Sequence, residues 1–236
     1  AGSRSTFSGR RIHRACDQRM TLEIFSIASF TVAMALLATL LMLPPGVALA
    51  WLLARRPFPG RSVFDTLVSL PLVLPPVATG LILLWLLGRR GPLGGLLAQV
   101  GFDVLFTWKA VVIAMAVMGL PLLVRAARAG FEQVDRRYEH VAATLGASPA
   151  RVFFTISLPL AGRGVLAGAL LGFSRALGEF GATIMVAGAL PSTRTIAVSI
   201  FSYTETGQQA AAISMLAVSA VIAFAALLLS NRLTTA

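Results

Sequence analysis

The stretch EHVAATLGASPARVFFTISLP, from Glu139 to Pro159, begins with polar residues and lies between apolar runs that are long enough to cross a membrane. A bilayer core of about 30 Å is crossed by about 20 helical residues, so charge-free runs of that length predict the spans. The chain is therefore predicted to be an all-α integral membrane protein, with this stretch outside the bilayer as a docking element.

The composition of the chain supports a membrane location. Hydrophobic residues make up 57% of the sequence, charged residues 12%, and the mean hydropathy is +0.83. An ordinary soluble domain is about 45–50% apolar and about 25% charged. A soluble fold has too little interior for so many apolar side chains, so lipid must cover many of them.

Long apolar runs, charge-free except for Arg175 and Glu179 in the fourth, predict five transmembrane helices. The third is short and should extend upstream past Lys109, whose amine can reach the interface. Prolines in the first two spans predict a bend or a break, which indicates either a packing kink or the lining of a path. The five predicted spans are Ile24–Ala54, Thr66–Gly88, Ala110–Val124, roughly Gly164–Ala189, and about Thr206–Ser230.

The distribution of basic residues predicts the orientation. With the N-terminus outside, ten arginines lie in the cytoplasmic segments, against four arginines or lysines in the outer segments from Met20 onward. The positive-inside rule then favours an outer N-terminus, a cytoplasmic C-terminus, and a cytoplasmic loop at residues 125–163.

Residues 1–19 do not fit this orientation, because they would add five arginines to the outer side. They lack the apolar region of a secretory signal and weakly resemble a transit peptide. We expect Met20 to be the native start and residues 1–19 to be a non-native or disordered tail, with residues 20–236 forming a single transmembrane domain. The formal net charge of +11 then falls to +7, from 15 basic and 8 acidic residues. Anionic lipid attracts such a charge, so no nucleic-acid partner is needed.

The fourth predicted span contains two further patterns. Small residues recur every four positions at Gly164, Gly168 and Gly172, which predicts close helix packing. Arg175 and Glu179 are spaced i, i+4, and a charge at the bilayer centre costs about 2.5–3.5 kcal/mol, so they should pair or face a polar cavity. The predicted polar path consists of Ser174, Arg175, Glu179, Thr183 and Ser199.

A short amphipathic helix is predicted from Glu139 to Ala147, stopped by Gly146 and the following Ser148 and Pro149. The order Gly146, nine residues, Ile156, one residue, then Leu158 and Pro159 resembles the cytoplasmic signature loop of bacterial ABC importer permeases. The usual Glu-Ala-Ala of that loop aligns with His140, Val141 and Ala142, so the acidic residue Glu139 stands one place early.

Further motifs resemble the molybdate and tungstate type of these permeases, over roughly Thr21 to Ser230. They are PFPGR from Pro57, LPLVLPPVATG from Leu70, GRRG from Gly88, the pair Val134 and Asp135, TLGA from Thr144, RVFFTISLP from Arg151 and LGEFGATI from Leu177.

The resemblance implies a type I ABC importer permease fold in a bacterial inner membrane, with the loop at residues 125–163 acting as the coupling loop. It also implies a homodimer, two cytoplasmic ATPase subunits that bind ATP and Mg²⁺, and an external substrate-binding protein. ATP binding would close the ATPase pair and displace the coupling helix. This displacement would move the transmembrane bundle toward its outward-open state. The ATPase-coupling residues that it implies are Glu139, His140, Val141, Ala142, Ala143, Leu145, Gly146, Ala147, Leu158 and Pro159.

Other functions find less support in the sequence. It has no Walker-type phosphate loop, and two histidines and one cysteine provide no plausible metal-ligand set, so we expect no catalytic residue, metal or cofactor in this chain. Sulfate or thiosulfate is the alternative cargo, because these dianions carry the same charge as molybdate. An intramembrane enzyme using Arg175 and Glu179, or a passive anion channel, is a more distant alternative.

Overall fold

The structure is a computed structural model that describes the backbone of residues 5–235 and the side chains of residues 21–228 and of Arg232. Every regular element in those residues is helical. The predicted tail, residues 1–19, lies outside the residues whose side chains are described, and its non-native origin stays a prediction. In chain order the elements are α1 (Ser5–Arg55), α2 (Arg61–Val73), α3 (Pro76–Leu87), α4 (Gly94–Gln99), α5 (Trp108–Gln133), α6 (Arg136–Thr144), α7 (Pro149–Val152), the π-helical turn π1 (Phe153–Ser157), α8 (Leu158–Leu160), α9 (Gly162–Leu177), α10 (Gly181–Ala187), α11 (Ile196–Glu205) and α12 (Gln209–Thr235).

Helix α5 is the centre of the bundle, with α1 and α9 packed along it and α10 against its first half. Within the described residues, three helices are long and apolar enough to cross a membrane alone: α1, α5 and α12. Two bent pairs are long and apolar enough when taken together, each as a broken span or a re-entrant loop, namely α2 with α3 at 112° and residues 149–160 with α9 at 72°. The described residues thus contain up to five spans, the predicted number, and four of these lie at the predicted positions.

Prolines act differently in the first two spans. Helix α1 continues through Pro44 and Pro45, so of the bend or break predicted there the break is wrong. Tight packing against α5 holds this part of α1, and transmembrane helices tolerate proline where neighbours compensate for the lost hydrogen bonds. The second span does break, because Leu74 is extended before Pro75, the conformation that a following proline favours, and Pro76 starts a new helix.

The fourth span is not one helix over Gly164–Ala189, and that prediction is wrong. Helix α9 ends at Leu177 and α10 begins at Gly181, because the Glu179 carboxylate accepts the Ala182 N–H at 2.8 Å and caps a new helix. The sequence also gave no indication of α11. Helix α10 instead packs against α3, which brings the two short half-helices together beside α5.

Candidate functional site

Helix α6 is defined by its two caps. The Asp135 side chain accepts the Arg137 N–H at 2.9 Å at the start, and the end is closed by hydrogen bonds from Gly146 N–H to the Ala143 carbonyl and from Ala147 N–H to the Ala142 carbonyl. Gly146 has a φ of 86°, which an L side chain rarely adopts. The predicted bounds Glu139–Ala147 are therefore wrong: the helix starts earlier, at the Asp135 cap, and ends before its glycine.

One face of α6 is apolar and exposed. Tyr138, Val141 and Leu145 follow one another at helical spacing and are all exposed. Together with Ile156 and Pro159 they border a groove of about 860 Å³. An amphipathic helix with such a face is suited to a groove in another protein.

A different side of α6 faces the bundle through Glu139. Its Oε1 lies 3.0 Å from Nη2 of Arg55, the last residue of α1. The Ser157 hydroxyl donates to the same oxygen at 2.7 Å, and Arg55 Nη2 also donates to the Val134 carbonyl at 2.9 Å. Both charged side chains are largely buried, with 6% of Arg55 and 20% of Glu139 exposed.

Aromatic rings lie beside this contact, and two of them, Trp51 and Phe153, line the same cavity as Arg55 and Glu139. The Phe153 ring, on π1, lies 5.5 Å from Trp51 of α1, 6.2 Å from Phe131 of α5 and 4.9 Å from Phe154. Such ring pairs contribute about 0.5–1.5 kcal/mol each beyond the area that they bury. The π turn is thus held against α1 and α5 beside the charged contact.

The other predicted coupling residues divide between two cavities. Ala142 and Pro159 line the 860 Å³ groove, and Leu158 packs against the buried apolar core. Most of the remaining predicted coupling residues line a second cavity of about 290 Å³. Its lining consists of Trp51, Arg55, Arg56, Arg136, Glu139, His140, Ala143, Ala147, Pro149, Val152, Phe153 and Ser157.

The two charged residues of the fourth span, Arg175 and Glu179, form an ion pair with each other. Arg175 Nη1 lies 2.7 Å from Glu179 Oε2, and Glu179 is almost fully buried. Since the other carboxylate oxygen caps α10, Glu179 joins the end of α9 to the start of α10. The arginine charge is therefore compensated within the chain.

The hydroxyl residues of the predicted path are spread over several helices. Ser174 donates to the Leu170 carbonyl and borders a cavity of about 240 Å³ between α9, α11 and α12. Thr183 and Ser199 are buried, and their hydroxyls have no partner among the described residues. Thr79 of α3 has the same property and was not singled out from the sequence.

The glycines of α9 lie where another main chain approaches. A Cβ on Gly164 would lie 2.5 Å from the Gly130 Cα, and one on Gly168 would lie 2.7 Å from the Leu123 carbonyl oxygen. A Cβ on Gly172 would overlap the Met42 side chain of α1. The small-residue face of α9 thus faces α5 and α1 within one chain. In the described residues, no group of three or more His, Cys, Asp or Glu side chains could hold a metal ion.

The sequence matches the family described as binding-protein-dependent transport system inner membrane component over residues 46–235. The chain belongs to this family. It is 46% identical over 200 residues to the molybdenum transport system permease protein ModB of Escherichia coli K12, covering 84% of this chain and 87% of that protein. The ModB of Haemophilus influenzae is 44% identical over 218 residues, covering 90% and 94%.

A sulfate relative is more distant from this chain. The sulfate transport system permease protein CysT of Salmonella typhimurium is 37% identical over 191 residues, covering 80% of this chain and 68% of that protein. Among solved structures, a chain of the inward-facing MetNI methionine ABC transporter superposes with a TM-score of 0.71 at 15% identity, covering 92% of this chain and 97% of that one. The fold is that of a type I ABC importer permease.

Sequence reasoning missed two residues of this transport-family site, Arg55 and Ser157. Arg55 was counted only as one positive charge among ten, and Ser157 was only part of a motif. The available signal was weak, namely one of two hydroxyl residues within the apolar run FFTISLPL and an arginine at the end of a span. Neither residue predicts its distant partner.

Proposed function

We propose that this chain is the membrane-spanning permease subunit of an ATP-driven importer for molybdate or tungstate. The observation that supports this most strongly is its high identity to two ModB permeases along almost their whole length. Sulfate is the second candidate cargo, supported by the lower identity to CysT.

The subunit works as a homodimer with two ATPase subunits and an external binding protein, with its N-terminus outside and its C-terminus in the cytoplasm. Five spans in one chain are few for a complete pathway, and a symmetric pair supplies the other half. The excess of arginine in residues 125–163 supports a cytoplasmic position for α6. ATP and Mg²⁺ bind the ATPase subunits.

The exposed face formed by Tyr138, Val141 and Leu145 docks on the ATPase subunit. ATP-driven closure of the ATPase pair displaces α6 and turns the bundle toward its outward-open state. Polar side chains, among them Ser174, Thr183 and Ser199, provide the path of the anion, with the Arg175–Glu179 pair at the break of the fourth span.

Cargo is tested with the permease, its ATPase subunit and its binding protein reconstituted in liposomes. Molybdate, tungstate, sulfate and thiosulfate are offered separately while ATP hydrolysis is measured, and uptake is measured with and without ATP. Molybdate and tungstate alone should stimulate hydrolysis. Stimulation by sulfate alone would support an ATP-driven importer whose cargo is sulfate. Uptake without ATP would refute the ATP-driven mechanism.

Docking is tested with Gly146→Trp against the matched variant Gly207→Trp. Both glycines end a helix with positive φ, 86° and 72°, and a Cβ on either meets no described atom within 4 Å. The strain of substitution is therefore similar, and only Gly146 adjoins the proposed docking face. Gly146→Trp should weaken ATPase binding about tenfold or more by blocking a packed contact, while Gly207→Trp should not. Equal binding by both variants would place the docking face elsewhere.

A further inference from the structure

Arg55 lies where four parts of the chain meet. It ends α1, its guanidinium contacts Glu139 of α6 at 3.0 Å, and it donates to the carbonyl of Val134, which follows α5. The Ser157 hydroxyl of π1 donates to the same Glu139 oxygen at 2.7 Å. One carboxylate oxygen and one guanidinium nitrogen thus connect α1, the end of α5, α6 and π1.

Burial distinguishes this contact from an ordinary surface pair. Only 6% of the Arg55 side chain and 20% of Glu139 are exposed, whereas Arg89 and Asp103 form a pair with 78% and 56% exposed. Exposed pairs contribute little, while removal of one partner from a buried pair leaves an uncompensated charge. The Arg55 contact therefore fixes α6 to α1 firmly.

The next residue in the chain provides an internal comparison. Arg56 is exposed, its guanidinium lies 5.9 Å from the Trp51 ring, and within the described part of the chain it forms no ion pair. Two adjacent arginines at the end of the same helix thus differ in whether they reach α6.

We propose that Arg55 is a positioning residue that transmits the displacement of α6 to α1 through Glu139, with Ser157 holding the carboxylate in place. This inference rests on the proposed docking of α6. Tyr138, Val141 and Leu145 lie on a different side of the helix from Glu139, so a partner seated on them leaves the contact with Arg55 intact. Movement imposed on α6 then reaches the first span directly, without passing through residues 145–163 of the loop.

The test uses the complete transporter, reconstituted with ATPase subunits and binding protein. For Arg55→Met, Arg55→Lys and the control Arg56→Met, we would measure permease–ATPase affinity and the stimulation of ATP hydrolysis by molybdate-loaded binding protein. Arg55→Met should bind the ATPase normally and lose stimulation about tenfold, the equivalent of one hydrogen bond to a charged group. Arg55→Lys should retain most of the stimulation because it keeps the cation, and Arg56→Met should match the wild type.

Normal stimulation in Arg55→Met would overturn the inference. Parallel loss of stimulation and ATPase affinity would also overturn it, because that result indicates a structural role in docking. Ser157→Ala is the second variant, since it removes one hydrogen bond with little change in volume, and it should lower stimulation about threefold at unchanged affinity. Unchanged stimulation in Ser157→Ala would contradict the role given to the hydroxyl. A wild-type chain that binds no ATPase subunit would refute the proposed function itself, and the inference with it.

Discussion

Replacing Gly164 with alanine tests how closely α5 and α9 approach. The new Cβ would lie 2.5 Å from the Gly130 Cα and 3.0 Å from its nitrogen. Carbon atoms in good contact are about 3.5–4.0 Å apart, so the two helices would have to separate by about 1 Å at this crossing. Because the opposing atoms belong to the main chain, no side-chain rotation can relieve the overlap.

Two opposing effects determine how much Gly164→Ala changes the free energy of unfolding. An extra methyl group in a packed interior costs about 1–3 kcal/mol, and contact with main chain places this site in the upper part of that range. Alanine is better than glycine in a helix interior by about 1 kcal/mol. The net loss in the free energy of unfolding is therefore about 1–2 kcal/mol. For a chain of this size that lowers Tm by about 3–6 °C.

The assay is thermal unfolding of the purified permease in detergent, followed by tryptophan fluorescence. Gly162→Ala is the matched control, since it lies in the same helix and its Cβ would meet no described atom within 4 Å. That variant should unfold at or slightly above the wild-type temperature. If Gly164→Ala unfolds at the same temperature as Gly162→Ala, α5 and α9 do not pack at the distance on which this argument depends.

Three further outcomes are expected in the same assay. Glu179→Gln should lower the free energy of unfolding by about 3 kcal/mol, because Arg175 loses its buried counter-charge; an unchanged Tm would mean that the pair is absent. Phe153→Ala should cost about 2–4 kcal/mol through loss of its ring contacts, and a cost below about 1 kcal/mol would contradict that packing. Arg89→Met should lower Tm slightly at pH 7. The hydrogen bond and charge of Arg89 lower the pKa of Asp103, so this stabilisation is present above the ordinary aspartate pKa of about 3.9 and is lost as pH falls through the lowered value. If the Tm difference between Arg89→Met and the wild type persists in stronger acid, it does not come from the Arg89–Asp103 pair.

The spans were predictable because lipid imposes a simple rule. Charge-free runs located four of the five spans, and the helical extension of the third span beyond Arg125 follows from its small and charged residues. The break before Pro75 was also predictable, since a proline restricts the residue that precedes it.

The break in the fourth span was hidden by its own charge pattern. Arg175 and Glu179 at i, i+4 are typical of one continuous helix, and they do pair at 2.7 Å. The second oxygen of Glu179 makes the difference, because it accepts the Ala182 N–H and starts a new helix. Sequence spacing cannot distinguish a carboxylate that makes one contact from a carboxylate that makes two.

The structure changes what the acidic residue of the coupling segment can contribute to docking. By sequence resemblance, Glu139 lies one place before the position of the usual acidic residue, and it was grouped with the residues that contact an ATPase. In the fold its carboxylate already binds Arg55 and Ser157 and is largely buried. To pair with an arginine on another subunit it would have to leave Arg55 buried without a counter-charge, at a cost of about 3–5 kcal/mol. We therefore propose that docking depends on the exposed apolar face of α6, and that Glu139 joins that face to the first span.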